Sequence, residues 1–369
     1  MSEEFVLWVG IDWGNAAHQV CVLDQRRKVL VERSVKHSGE AIGKLADELV
    51  GLADGEASKI AASIETTWGA IAETLLERGI AVFSINPKQL DRFRDRHTVS
   101  GAKDDRRDAF VLADALRTDE KLFHRLRLDA AEIVELRELV RVYEDVRAEA
   151  VALGNRLAEQ LHRFFPQVLE LGSVHTERWL WELVKLVPRP DEARRLRPPK
   201  IESLLRRHRI RRLTAVQVLD TLRSPPLKVA PGVVSACEQH ISLLLPRLEL
   251  AQLQRSQCER QLAAMLDELC EPISNGQRQV EHSDAAILMS MPGVGTIVGA
   301  TMLADVSQLL ADRDLVRLRT QCGTAPVTKQ SGKSKYVVRR LACNPRLRQA
   351  AYHWSRTSMQ NDPWCRDHY

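Results

Sequence analysis

Short apolar runs separated by polar breaks dominate the first hundred residues. Phe5 to Asp12 is nearly continuous in apolar character. Gln19 to Leu23 and Val29 to Val35 follow after brief interruptions, and Ile60 to Ile64 and Ala81 to Ile85 complete five strand candidates. The first three are so closely spaced that they predict an antiparallel meander. Glu40 to Leu52 and Trp68 to Arg78 have helical spacing, and Pro87 suits the first turn of a further helix. Meander, helix, strand, helix, strand, helix is the order of a ribonuclease-H-like α/β domain.

Beyond about Leu122 the strand signals stop. Leu136, Leu139, Tyr143, Val146, Ala150, Leu153 and Leu157 recur in steps of three and four, forming one apolar seam that Pro166 ends. A second seam runs through Ile241, Leu244, Leu248, Ala251, Cys258, Leu262, Met265 and Leu269, interrupted by Arg255. Pro246 is expected to start or kink that helix near its beginning. Both stripes must be buried, either against each other in one helical bundle or against another subunit as a dimerising coiled coil. Between them, Pro188 to Arg212 is rich in Pro and Arg, with nine Lys/Arg against one acid from Arg194 onward, and reads as a solvated or nucleic-acid-facing connector. The last hundred residues read as helical, with Pro292-Gly-Val-Gly295 between two apolar helical stretches.

Composition narrows the class. A chain of 369 residues suits two or three domains, and 44% hydrophobic with 28% charged residues is enough to build cores. No run approaches the ~20 apolar residues of a bilayer span, and Met1 to Trp13 lacks a signal-peptide pattern, so a soluble, cytoplasmic protein without membrane partners is expected. Seven cysteines, an odd number without any C-x-x-C, disfavour a disulfide framework or structural zinc. The balance of 54 Lys+Arg against 49 Asp+Glu gives +5, yet residues 315–356 alone hold ten Lys/Arg and no acid.

Four acids stand out. Asp12 ends an apolar strand, where a buried carboxylate without a partner costs several kcal/mol. Glu65 closes another buried strand and lies beside Asp12 if those strands are neighbours. Asp105 and Asp108, three apart in Lys103-Asp-Asp-Arg-Arg-Asp108, open a helix running to Leu116 and share one of its faces. If that face packs on the sheet, four carboxylates converge, a cluster stable at neutral pH only when protonated or bound to cations. Two Mg²⁺ about 4 Å apart are the standard solution for phosphodiester chemistry, and Lys103, Arg106 and Arg107 would admit a phosphate backbone. Taken singly, each acid is more simply an Asx turn, a helix cap or a first-turn acid; their order favours the site.

The Pro292–Gly295 turn has the composition of a helix-hairpin-helix module, in which Gly293 and Gly295 would let exposed N–H groups meet phosphate, against the plainer reading of a turn between core helices. In the basic segment, Pro326-Val-Thr-Lys-Gln-Ser331-Gly332-Lys333 places a serine between Lys329 and Lys333, with Lys335, Arg339 and Arg340 beyond. Ser-Gly is a common turn dipeptide, but beside a nuclease-like acid set Ser331 is a candidate for a covalent phosphoseryl step.

Gly10-Ile-Asp-Trp-Gly14, Ile64-Glu-Thr-Thr-Trp-Gly69, Ile85-Asn-Pro87, Lys103-Asp-Asp-Arg-Arg-Asp-Ala109 and the region from Pro292-Gly-Val-Gly295 to Ser331-Gly332 together resemble the DEDD transposases of the IS110 insertion-sequence family. The resemblance covers nearly the whole chain. It implies a RuvC-like domain of the Holliday-junction-resolvase type over 1–120, a helical coiled-coil spacer over 121–280, and a mostly α-helical C-terminal transposase domain with a catalytic serine over 281–369. It assigns Asp12, Glu65, Asp105 and Asp108 as metal ligands and Ser331 as nucleophile. It further implies an RNA-guided recombinase, in which a structured noncoding RNA pairs with donor and target double-stranded DNA. Strand exchange between two duplexes leads us to expect a homodimer or homotetramer, nucleoid-associated when active in a bacterial host, with the acids and the serine able to come from different subunits. Asp104 stands where a neutral Thr is usual, which makes the register ambiguous. Cys343-Asn344-Pro345 replaces the usual Lys/Arg-Gly-Asn turn. Relatives commonly continue into another helix beyond Tyr369, so either a trimmed C-terminus or a short or decayed copy is expected. Two alternatives remain: a junction-selective endonuclease using metal-activated water, and a nucleic-acid-binding scaffold with an inactive acidic site.

Overall fold

In the computed structural model, residues 4–65, 69–85, 87–97, 104–230, 232–271, 283–332 and 334–368 are described. The meander forms as its spacing predicts: β1 (Leu7–Asp12), β2 (Ala17–Asp24) and β3 (Val29–Lys36) pair antiparallel in sequence. After helix α1 (Gly39–Leu52), β4 (Ile60–Ile64) returns parallel to β1; after α2 (Ala70–Glu77), β5 (Ala81–Ser84) lies parallel to β4. Helices α3 (Pro87–His97) and α4 (Asp105–Asp119) follow, and a two-residue edge strand, β6 (His124–Arg125), closes a sheet of order 3-2-1-4-5-6.

Every residue of β4 is buried, as a central parallel strand covered on both faces requires. The alternation of β2 shows the two layers. Val20 and Val22 join Val9 and Ile11 against Ile42, Leu45 and Leu49 of α1 and Ile71 and Leu75 of α2. Cys21 and Leu23 face the other way, onto Ala109 and Ala113 of α4. The crossing of α4 over β1 depends on Gly10: a Cβ there would stand 1.9 Å from the Ala109 carbonyl oxygen and 2.6 Å from the Ala113 nitrogen. Only a residue without a side chain lets that helix lie on the sheet.

These elements make up one unit, Met1–Leu128; Asp129–Tyr369 make up a second. In the second, the seams become two long helices, α5 (Ala131–Phe164) and, after α6 (Gln167–Glu170), α7 (Arg178–Leu186), α8 (Pro198–Arg207) and α9 (Ala215–Arg223), α10 (Val233–Cys270). Leu153 and Leu157 share a core with Leu244 and Leu248, and Leu136 and Tyr143 share another with Leu262 and Leu266. The two helices therefore run antiparallel and bury their seams against each other within the chain. Pro246 neither starts α10 nor lies at its edge, since the helix begins at Val233 and continues through it. The Arg-rich stretch from Pro188 is likewise not a plain solvated connector, because Ile201, Leu204 and Leu205 of α8 belong to the core.

The chain continues through α11 (Asp284–Met289), α12 (Thr296–Ala311) and α13 (Leu315–Gln321) to an unforeseen antiparallel hairpin, β7 (Val327–Ser331) and β8 (Ser334–Val338), before α14 (Pro345–Asn361) and α15 (Pro363–Asp367). Among the described residues no helix is long and apolar enough to cross a membrane.

Candidate active site

Strands β1 and β4 are paired in register, Ile11 opposite Ile64, so Asp12 and Glu65 emerge at the same end of adjacent parallel strands. Asp12 has the parity of Gly10, and Glu65 that of Ala61, which packs with Val111, Leu112 and Leu116 of α4. Both acids thus belong to the α4 side of the sheet. Asp104 is the N-cap of α4: its backbone is extended and its carboxylate accepts the Arg106 N–H at 3.1 Å. That leaves Asp105 as the first helical residue, exposed, and Asp108 one turn on with its side chain only 4% exposed.

A carboxylate so buried needs a partner, and Arg94 of α3 supplies it. The Arg94 Nε and Nη2 donate to the two Asp108 oxygens at 2.7 and 3.0 Å, a bidentate fork. The same Nη2 donates to Glu65 Oε1 at 2.9 Å, and Nη1 to Asp91 Oδ1 at 2.6 Å. One guanidinium therefore links the acid that closes β4 to the acid in the first turn of α4. Burial alone would depress the Arg94 pKa, but its hydrogen bonds to Asp108 and Asp91 and the charges of Asp108 and Glu65 leave it raised. Sequence reasoning did not single out Arg94. The signal was indirect: buried acids demanded a cation, and α3 is arginine-rich.

Among the described residues, no three His, Cys, Asp or Glu side chains are gathered closely enough to hold a metal ion. The donor set nonetheless suits a hard divalent cation, since carboxylate oxygens are its preferred ligands, and a positive group already lies between Glu65 and Asp108. Arg106 is exposed and Arg107 half-buried on α4, while Lys103 lies outside the described residues.

Behind Asp12, the chain is fixed by a second unforeseen group. The Gly14 N–H donates to His18 Nδ1 at 3.4 Å, which places the His18 proton on Nε2, donated to His37 Nδ1 at 2.9 Å. The His18 ring is fully buried, and burial, reinforced by His37, holds its pKa below the ordinary histidine value.

In the second unit, Ser331 is the last residue of β7, opposite Ser334, exposed at the tip of the hairpin where Gly332 takes a left-handed backbone. Side chains alternate, so Ser331 shares a hairpin face with Lys329 and Tyr336, while Lys335 lies on the other. Lys335 and Arg339 are exposed, whereas Arg340 is half-buried and donates from Nε to the Ala325 carbonyl at 3.2 Å. Lys333 lies outside the described residues.

The Pro292–Gly295 turn does join α11 to α12, but the close approach at Gly293 is to its own chain. With φ of +79°, a Cβ there would lie 2.5 Å from Ser358 of α14, and the Pro292 carbonyl accepts from Ser358 Oγ at 2.6 Å and Trp354 Nε1 at 3.0 Å. Gly295, by contrast, caps α12 with no heavy atom within 4 Å of an added Cβ. Asn344, in the departing Cys-Asn-Pro turn, caps α14 through Arg346 N–H and donates to Asp305 at 2.9 Å.

The chain is similar in sequence to known proteins. A family model for DEDD transposases of IS110 type matches residues 9–166, and a second, for transposases of the IS116/IS110/IS902 family, matches residues 285–369. The y4uE protein of Sinorhizobium fredii, named as a transposase, is 44% identical over 216 residues, which are 58% of this chain and 60% of that protein; the match spans less than two thirds of that relative's length. The mini-circle protein of Streptomyces coelicolor, named as a transposase for IS117, is 30% identical over 100% of this chain and 88% of its own. The 43.6 kDa protein of insertion element IS110 from the same organism is 25% identical across 100% of this chain and 88% of its own.

Proposed function

Because the chain belongs to the IS110 family of transposases, we propose that it cuts and rejoins DNA strands between an insertion element and its target, using the acids of the first unit and the serine of the second. The observation that carries this reading is the Arg94 guanidinium held between Glu65 and Asp108, which marks a cation-demanding acidic centre where β1, β4 and α4 meet. The first unit serves as a RuvC-like catalytic domain. The division into catalytic, spacer and C-terminal segments at 1–120, 121–280 and 281–369 is part of the same proposal.

Asp12, Glu65, Asp105 and Asp108 would hold Mg²⁺, which when bound supplies charge stabilisation at the scissile phosphate. The remaining chemistry belongs to the chain. Ser331 Oγ attacks phosphorus as the bond to one deoxyribose oxygen breaks, the serine proton passes to solvent or a neighbouring base, and the leaving oxygen is protonated. The resulting phosphoserine ester keeps the bond energy for rejoining, so no nucleotide cofactor is needed. Exposure at a hairpin tip suits a serine that must reach a duplex. Lys329, Lys335, Arg339 and the α12 N-terminus at Gly295 would contact phosphates, while a guide RNA reads sequence by base pairing. Strand exchange between two duplexes would engage a homodimer or homotetramer.

The test separates this from water-based cleavage by a junction-selective endonuclease. With Mg²⁺, guide RNA and DNA containing the element junction, Ser331→Ala should abolish the covalent protein–DNA adduct seen on denaturing gels. Glu65→Gln and Asp108→Asn should each lower strand cleavage by about a hundredfold or more while binding persists. Undiminished cleavage by Ser331→Ala with no adduct from the parent protein would make water the nucleophile.

A further inference from the structure

The Arg94 contacts carry an inference that rests on the metal-binding reading above and extends it. Asp108 has its side chain 4% exposed, whereas Arg94 and Glu65 are each 28% exposed, so the guanidinium lies at the mouth of the acidic centre with the aspartate beneath it. It commits three of its hydrogen bonds to the two acids and a fourth to Asp91, one turn earlier on α3. We propose that Arg94 is a built-in counterion that occupies the cation position between Glu65 and Asp108 in the unloaded protein and is displaced when Mg²⁺ enters.

Physical chemistry dictates the exchange. A guanidinium and a divalent cation cannot both sit between the same two carboxylates, because each needs the same oxygen lone pairs and the two repel one another. With the ion absent, Arg94 neutralises Asp108 and Glu65, so the acids keep their places without an ion. With the ion present, Asp91 offers Arg94 a partner away from the acids on its own helix. Competition of this kind lowers apparent metal affinity by the fraction of time the guanidinium holds the site. It makes Arg94 a positioning residue for the unloaded centre rather than a catalytic one.

The full-length protein is titrated with MgCl₂ by calorimetry and by thermal unfolding, comparing the parent with Arg94→Gln, Arg94→Lys and Glu65→Gln. Arg94→Gln, which removes the competing charge, should bind Mg²⁺ about tenfold more tightly than the parent. Arg94→Lys, which keeps the charge but loses the fork, should fall between. A measurement on the parent protein stands independent of any variant's folding: phenylglyoxal labelling of Arg94, mapped by mass spectrometry, should rise as Mg²⁺ saturates the site. Equal or weaker Mg²⁺ binding by a folded Arg94→Gln, or labelling that stays constant or falls with Mg²⁺, would overturn the counterion role. Loss of binding in Glu65→Gln alongside either result would sink only this inference, whereas a parent that binds no Mg²⁺ would sink the metal-binding reading with it.

Discussion

At the residue scale, two buried polar groups of the first unit are satisfied in different ways. Asp108 is held by the bidentate Arg94 fork. His18 is kept neutral, because its buried ring has, among the described residues, the Gly14 N–H and the His37 ring as hydrogen-bond partners, with Trp13 6.4 Å away between ring centroids. Its folded-state pKa is lowered by burial first and His37 second. In the unfolded chain histidine titrates near 6.5. As pH falls below that value the unfolded state takes up the proton first, so stability is fully present above about pH 6.5 and declines below it, by at most ~1.4 kcal/mol per pH unit. Chemical denaturation from pH 8 to pH 5 should show that decline in the parent protein and a shallower one in His18→Gln. An identical slope in both would assign the acid lability elsewhere.

At the scale of elements, Asp108 reaches the guanidinium that also holds Glu65 because α4 can lie on β1, and that depends on Gly10. A methyl at that position would meet helix backbone at 1.9 and 2.6 Å, and backbone cannot swing aside as a flexible side chain can. Gly10→Ala should therefore lower the melting midpoint of the first unit by ~5–15 °C, the range for overpacking of about 1–3 kcal/mol. Gly43→Ala, inside α1 with open space around an added Cβ, should leave the midpoint unchanged or raise it through helix propensity. If Gly10→Ala melted like the parent, the close crossing would be dispensable. Strands β1, β2, β4 and β5 were legible because burial on one or both faces writes apolar runs into the chain, whereas β3, in which only Val35 is buried, was legible from its Val29-Leu-Val31 start and its short spacing from β2. The hairpin β7–β8 was not, because nearly all its side chains are exposed and its sequence, VTKQS and SKYVV, carries no sustained alternation. The acids drew notice by their positions at strand ends and a helix start, and the structure has those strand ends and that helix start. Arg94 was not, since its partners are fixed only by where α3 lands on the folded sheet. Pro246 misled because a proline is a strong local signal, yet the packing of α5 against α10 holds the helix through one missing hydrogen bond.

At the scale of the whole molecule, the near-neutral total is a sum over unlike parts. Residues 315–356 carry ten positive charges and no acid, so with a total of +5 the rest of the chain carries 5 − 10 = −5. A uniformly weakly basic protein would bind polyanions feebly; one with its positive charge concentrated around an exposed hairpin presents a local field strong enough to release counterions from a duplex. The proposed division of labour, acids gathering cations in one unit and bases gathering phosphates in the other, then makes a quantitative statement about salt. Lys329, Lys335 and Arg339 are exposed on or next to the hairpin. Removing any one phosphate-neutralising cation should flatten the plot of log affinity against log salt by ~0.9 for duplex DNA. Fluorescence anisotropy from 50 to 200 mM NaCl should thus show the triple alanine variant weakened at low salt, with a slope shallower by about 2.7. Arg340→Ala, whose guanidinium is tied to the Ala325 carbonyl, should leave the slope nearly as it was. A triple variant with the parental slope would move the DNA-binding face away from the hairpin, and with it the case for Ser331 as the residue that reaches the strand.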